Sequence, residues 1–191
     1  MNINLLIFII VLYILGSTLF RKLTFYLFDI FWRLLIIFGV YLFAKQSINI
    51  DQTQWLTLLF LFIFVYIFTL INSPVKSPYF ILIWVVLAPL AEEFLFRGWL
   101  LHALDGPVLT RIVIVSVIFG LYHFKNISFL SFFSVIYQVG YAMIIGLPLA
   151  WLAVSTHSLF LPIMLHSVNN VLASTVTMKY FPSVMKMKNR G

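Results

Sequence analysis

No cysteine occurs in the chain, which excludes disulfides, thiolate metal sites and a cysteine nucleophile and leaves the compartment open. Charge is nearly as scarce: charged residues make up 9% of the 191 positions against 63% apolar, far from the balance of a soluble domain. No Gly-x-Ser-x-Gly, Gly-x-Gly-Asp or His-Glu-x-x-His occurs, so the local signatures of serine, aspartyl and zinc-helix hydrolytic sites are missing. Only five residues are acidic, and the two glutamates among them, Glu92 and Glu93, are adjacent.

What is abundant is hydrocarbon. Mean hydropathy is +1.11, and seven apolar runs can be drawn at about 3–20, 24–44, 54–72, 79–103, 108–124, 128–154 and 160–178. Each approaches or exceeds the ~20 residues that cross a bilayer, and none alternates with the two-residue period of a membrane barrel. The expected fold is therefore an all-α, polytopic transmembrane bundle of about seven spans (six to eight), forming one integral membrane domain over 1–191. The first run lacks a basic flank and a small-residue cleavage site, and reads as a retained helix.

The formal net charge of +7 is scattered between apolar runs. That pattern fits loops facing anionic lipid, with no nucleic acid as partner. With the amino terminus outside, eight basic residues, Lys125 among them, fall on the inner side, against Lys45 and Arg111 outside. The carboxyl terminus is expected in the cytoplasm.

Chemistry concentrates in Leu90-Ala-Glu-Glu-Phe-Leu-Phe-Arg-Gly98. An ionisable group at the centre of a membrane helix costs about 2.5–3.5 kcal/mol even on the lenient insertion scale, so the glutamates are not there for solubility. Arg97 lies four residues after Glu93, on the same helix face. Glu92 precedes the Pro107 turn by 15 residues and His123 follows it by 16. At 1.5 Å per residue, two antiparallel helices bring them to one depth. His166 and Asn170, one turn apart, share a face of the last helix.

These residue types suit water-mediated amide hydrolysis. A carboxylate with a neighbouring imidazole takes a proton from water, and a second imidazole with an amide supplies donors for an oxyanion. Blander readings compete: a structural Glu–Arg network, or a histidine and an asparagine that merely link helices. Asp29 and Arg33 read as a structural pair, and His102 and His157 as interfacial residues. Leu104-Asp105-Gly106 matches a site-2 protease tripeptide without the zinc-binding helix, and is discounted.

Glu-Glu-x-x-x-Arg at 92–97, Phe-x-x-x-His at 119–123 and His-x-x-x-Asn at 166–170 together resemble the three motifs of the CPBP family. These are the CAAX proteases and bacteriocin-processing enzymes, also called Abi. The resemblance covers roughly 79–178, which becomes the expected catalytic core. It implies an intramembrane endopeptidase of the type II CAAX prenyl protease kind. Glu92 and His123 would activate water, His166 and Asn170 would form the oxyanion site, and Glu93 and Arg97 would support them.

The resemblance leaves glutamate-type and metalloprotease mechanisms open. Without a His-Glu-x-x-His helix the metal-free form is favoured, one divalent ion, zinc first, being the alternative. Expected substrates are hydrophobic peptides: a prenylated tail, a bacteriocin-like peptide or a signal peptide. Compact size and short loops suggest a bacterial cell membrane, and the oligomeric state stays open. The competing function is a non-catalytic scaffold or bacteriocin self-immunity factor using the same cavity for binding. A proton-coupled transporter ranks third, since inverted repeats and matched broken helices are lacking.

Overall fold

The computed structural model describes residues 25–74, 77–128 and 130–177. The expected span at 3–20 and the basic tail from Lys179 lie outside the described residues. Six helices follow in order: α1 Phe25–Ile48, α2 Gln52–Asn72, α3 Pro78–Ala103, α4 Val108–Tyr122, α5 Phe132–Thr156 and α6 Phe160–Leu172. A 3-10 segment, His123–Ser128, extends α4, and a π-helical turn, Ala173–Thr177, extends α6. There is no β-strand among the described residues.

Among the described residues, four helices are long and apolar enough to cross a membrane: α2, α3, Val108–Ile127 and α5. The protein is integral to the membrane, and four of the seven expected spans are met on these two criteria. The last expected span, 160–178, is built differently. Its 13-residue α-helix runs on through the π turn Ala173–Thr177 to the end of the described residues. It also carries a polar stripe of His166, Ser167, Asn169 and Asn170, which needs protein rather than lipid beside it.

Burial sorts the helices by role. α3 is the most buried of the four spans and α2 the least. Phe60 and Phe64 of α2 are 71% and 65% exposed, as lipid-facing residues must be where the solvent is hydrocarbon. In α3, Phe94, Leu95, Phe96 and Leu100 are fully buried, against Leu58, Phe119 and Ile163. Phe96 sits edge-on to Phe119 and Tyr122, with ring centroids 5.2 and 5.5 Å apart, the favoured aromatic geometry.

Local chemistry sets the helix ends. Asp51 and Gln54 form a capping box at α2, satisfying two orphan N–H groups. Ser77 caps α3, with Pro78 in the first turn, where a missing N–H costs nothing. His157 closes α5 in the left-handed conformation (φ 49°), and its carbonyl accepts Asn49 Nδ2 at 2.8 Å. His157 is thus a helix stop tied to the α1–α2 junction.

α4 and α5 pack closely through two glycines. A Cβ on Gly120 would fall 2.8 Å from the Val139 carbonyl oxygen, and one on Gly146 would fall 3.1 Å from Ser116 Cβ. Small residues at such crossings let membrane helices approach. This contact holds the histidine-bearing end of α4 against the bundle.

Candidate active site

α3 is not a uniform α-helix. Two π-helical stretches, Ile83–Leu87 and Phe94–Leu100, flank the short α segment Ala88–Glu93 that carries both glutamates. The first stretch follows from Pro89. The Ala88 N–H bonds Ile83 O, five residues back, so Trp84 O would next pair with residue 89. Pro89 has no N–H and cannot supply that donor. Asn170 Nδ2 of α6 donates to that carbonyl at 2.9 Å. A π turn here converts a proline into an anchor point for a side chain on another helix, in keeping with the frequency of such turns at functional sites.

Glu93 and Arg97 are wholly buried. Arg97 Nη1 donates to Glu93 Oε1 at 2.9 Å, and Nη2 donates to Gly146 O at 3.2 Å. The guanidinium lies over Phe119, with Cζ 4.3 Å from the ring centroid, a cation–π contact strengthened by desolvation. Gly146 is therefore needed twice: its Cβ would also meet Arg97 Nη2 at 3.3 Å.

His166 Nδ1 lies 2.7 Å from the same Glu93 Oε1. A guanidinium offers only donors, so Oε1 accepts from Arg97, and the short contact to the same oxygen assigns a proton to His166 Nδ1. Nε2 then faces Glu92 Oε2 at 3.8 Å. His123 Nδ1 donates to Phe119 O at 2.9 Å, which leaves its Nε2 as the ring position not engaged by the main chain. Both imidazoles stand edge-on to Phe119, at 5.0 and 5.7 Å. One aromatic ring thus spaces two histidines and an arginine.

Both imidazoles and Asn170 line a cavity of about 140 Å³, walled by Trp84, Phe119, Ala142 and Ile145 and rimmed by Gln138. Gln138 Oε1 accepts from Asn126 Nδ2 at 2.7 Å. The structure thus gathers Glu92, Glu93, Arg97 and His166 into one buried array, with the half-buried His123 and Asn170 at the cavity wall. One Asn170 amide hydrogen is engaged by Trp84 O.

Sequence reasoning missed two participants. Arg33 Nη1 lies 3.8 Å from Glu92 Oε1, and Lys125 Nζ lies 4.0 Å from it. Arg33 does pair with Asp29, at 3.2 Å, as the four-residue spacing indicates. Charge balance would have found the second contact, because three intramembrane carboxylates face only two arginines. Lys125 is counted with the loop charges, but its ammonium stacks on Tyr122, 3.4 Å from the ring centroid, and reaches the Tyr122 hydroxyl. Among the described residues no three of His, Asp and Glu converge as a metal-ligand set.

Residues 74–172, over half of the chain, match the family described as type II CAAX prenyl endopeptidase Rce1-like. The chain belongs to that family. The Rce1-like match spans α3 to α6 and so contains every motif residue above, while Asp29 and Arg33 precede it. No curated protein matches the chain, and no solved structure does.

Proposed function

We propose that this chain is an active intramembrane endopeptidase in which Glu92 and His123 activate water for attack on a peptide bond. The observation that carries the reading is the burial of the Glu92–His166–Glu93–Arg97 chain of contacts behind a cavity lined by His123 and His166. In the reaction, water in the cavity loses a proton to Glu92 while the free Nε2 of His123 orients it. The hydroxyl oxygen bonds to the substrate carbonyl carbon, and the resulting oxyanion takes hydrogen bonds from Asn170 and from protonated His166. Glu93 Oε1, 2.7 Å from Nδ1, holds that ring in orientation. The proton held by Glu92 then passes to the leaving amine as the carbon–nitrogen bond breaks.

No metal is placed in this reaction. Glu93 Oε1 is already shared by Arg97 and His166, whereas both histidines engage only Nδ1 and keep Nε2 open, the arrangement a metal ligand also has, so the chelator arm of the test below decides between the two forms. The substrate is a hydrophobic peptide, with a prenylated carboxyl-terminal tail favoured by the family. A bacterial cell membrane with a cytoplasmic carboxyl terminus completes the proposal.

The test compares purified wild type with Glu92→Gln on prenylated and unprenylated hydrophobic peptides, with and without chelator. Cleavage by wild type alone, insensitive to chelator, is expected. Activity lost to chelator and restored by zinc would overturn the metal-free step. Equal cleavage by Glu92→Gln would remove Glu92 from the mechanism.

A further inference from the structure

Glu92 meets two cations from elements other than its own helix. Arg33 of α1 and Lys125 of the segment after α4 both approach Oε1, at 3.8 and 4.0 Å. The three side chains are only 9%, 7% and 6% exposed, so these are not the solvent-screened pairs that contribute little. The other oxygen, Oε2, faces His166 Nε2, and His123 lies within electrostatic reach. The two oxygens of one carboxylate are thus divided between a cationic side and an imidazole side.

A carboxylate that accepts a proton from water needs one oxygen directed at the water and its plane held still. Two cations on the Oε1 side, at 3.8 and 4.0 Å, orient that plane by charge attraction without occupying Oε2. Arg33 is itself held, since its Nε bonds Asp29 Oδ2 at 3.2 Å one turn earlier. A planar guanidinium with one edge on Asp29 has little freedom left for the other. Lys125 is held in turn by the face of Tyr122.

We propose that Arg33 and Lys125 clamp Glu92 through Oε1, which makes Arg33 a positioning residue supplied from outside the Rce1-like segment. Its role in turnover rests on the reading of Glu92 as the water-activating base. The clamp itself does not. The part of the chain before residue 74, where no motif is found, would then complete the site and not merely anchor it.

Because the chain holds only two glutamates, labelling with [δ-13C]glutamate in a cell-free system places the label at Glu92 and Glu93 alone. NMR of the full-length protein in lipid nanodiscs gives two carboxyl resonances, assigned with Glu92→Gln. The expected result is that Arg33→Met and Lys125→Met each move the Glu92 resonance and leave Glu93 in place, while Arg33→Lys largely restores it. A Glu92 resonance unmoved in both variants overturns the clamp. So does displacement of both resonances together, which marks a general rearrangement.

In parallel, a farnesylated peptide is the turnover probe. Arg33→Met is expected to lower kcat by about tenfold to 100-fold, the scale of a misplaced catalytic group, with KM within about twofold. Wild-type kcat in Arg33→Met overturns the positioning role. If wild type cleaves no peptide while the resonances move as expected, the function proposed above fails and the clamp stands.

Discussion

His166 Nδ1 and Arg97 Nη1 meet at a single atom, Glu93 Oε1, at 2.7 and 2.9 Å. Through that atom a side chain of α6 is tied to two of α3, and the two adjacent glutamates take different tasks. Glu93 is enclosed and neutralised by Arg97. Glu92 faces the histidines and the two further cations.

Exchanging each glutamate for glutamine should separate these tasks. Glu93→Gln leaves Arg97 buried without its counter-charge, and breaking a buried pair costs about 3–5 kcal/mol. Glu92→Gln leaves Arg33 with Asp29 and Lys125 on the Tyr122 ring, and its longer contacts of 3.8–4.0 Å should make it the less costly of the two. Thermal unfolding in detergent should place Glu93→Gln well below Glu92→Gln, although neither cleaves substrate. Equal melting temperatures would deny Glu93 its structural part.

Arg97→Lys keeps the charge and loses the fork. One ammonium cannot occupy both the Glu93 and Gly146 positions and also stack flat on Phe119. The lost hydrogen bond to a buried carbonyl should cost about 1–3 kcal/mol. Turnover should fall at least tenfold, because His166 loses the fixed orientation of Glu93. Full activity with lysine would show that only the charge matters.

The glycines of the α4–α5 crossing should differ in cost. A Cβ at Gly120 would overlap Met143 Cγ and lie 2.8 Å from the Val139 carbonyl oxygen, whereas at Gly146 the nearest atom is Ser116 Cβ at 3.1 Å. Met143 can swing aside; the Val139 backbone cannot without moving the helix. Gly120→Ala should therefore lower the melting temperature more, by the equivalent of about 1–3 kcal/mol for overpacking. Gly146→Ala should affect activity more than stability, since its Cβ presses on Arg97 Nη2. Assaying both variants for unfolding and turnover gives the two orderings.

The sequence made some of this plain and not the rest, for physical reasons. Membrane helices are legible because hydrocarbon solvent forces long apolar runs, and the motif residues stand out because a charge in such a run demands a purpose. Equal depth for Glu92 and His123 follows from helical rise alone, and Lys125, two residues beyond His123, lies 4.0 Å from Glu92. What cannot be read this way is which helix neighbours which. Arg33 is 59 positions from Glu92, and nothing in either run names the other. The pairing of His166 with Glu93 rather than Glu92 is also invisible, because it turns on side-chain direction at two consecutive positions. The π turns are hidden for a different reason: Pro89 lies inside an apolar run, and its only sign is the main-chain donor that a proline lacks.

Pro89 yields the most discriminating substitution. In Pro89→Ala an N–H returns five residues after Trp84, where it can pair with the carbonyl that now accepts Asn170 Nδ2 at 2.9 Å. Proline inside a helix is unfavourable by about 3 kcal/mol relative to alanine, so the variant should be as stable as wild type or more so. Yet the carbonyl that orients Asn170 acquires a competitor, and the donor assigned to the oxyanion loses its anchor. The expected phenotype is a melting temperature unchanged or raised by a few degrees, together with a kcat reduced about tenfold and KM little changed. Asn170→Ala in the same background should then cost less than it does in wild type, because part of what Asn170 provides is already lost. If instead the two substitutions multiply, Asn170 acts independently of the π turn, and the link from proline to carbonyl to amide has no part in catalysis.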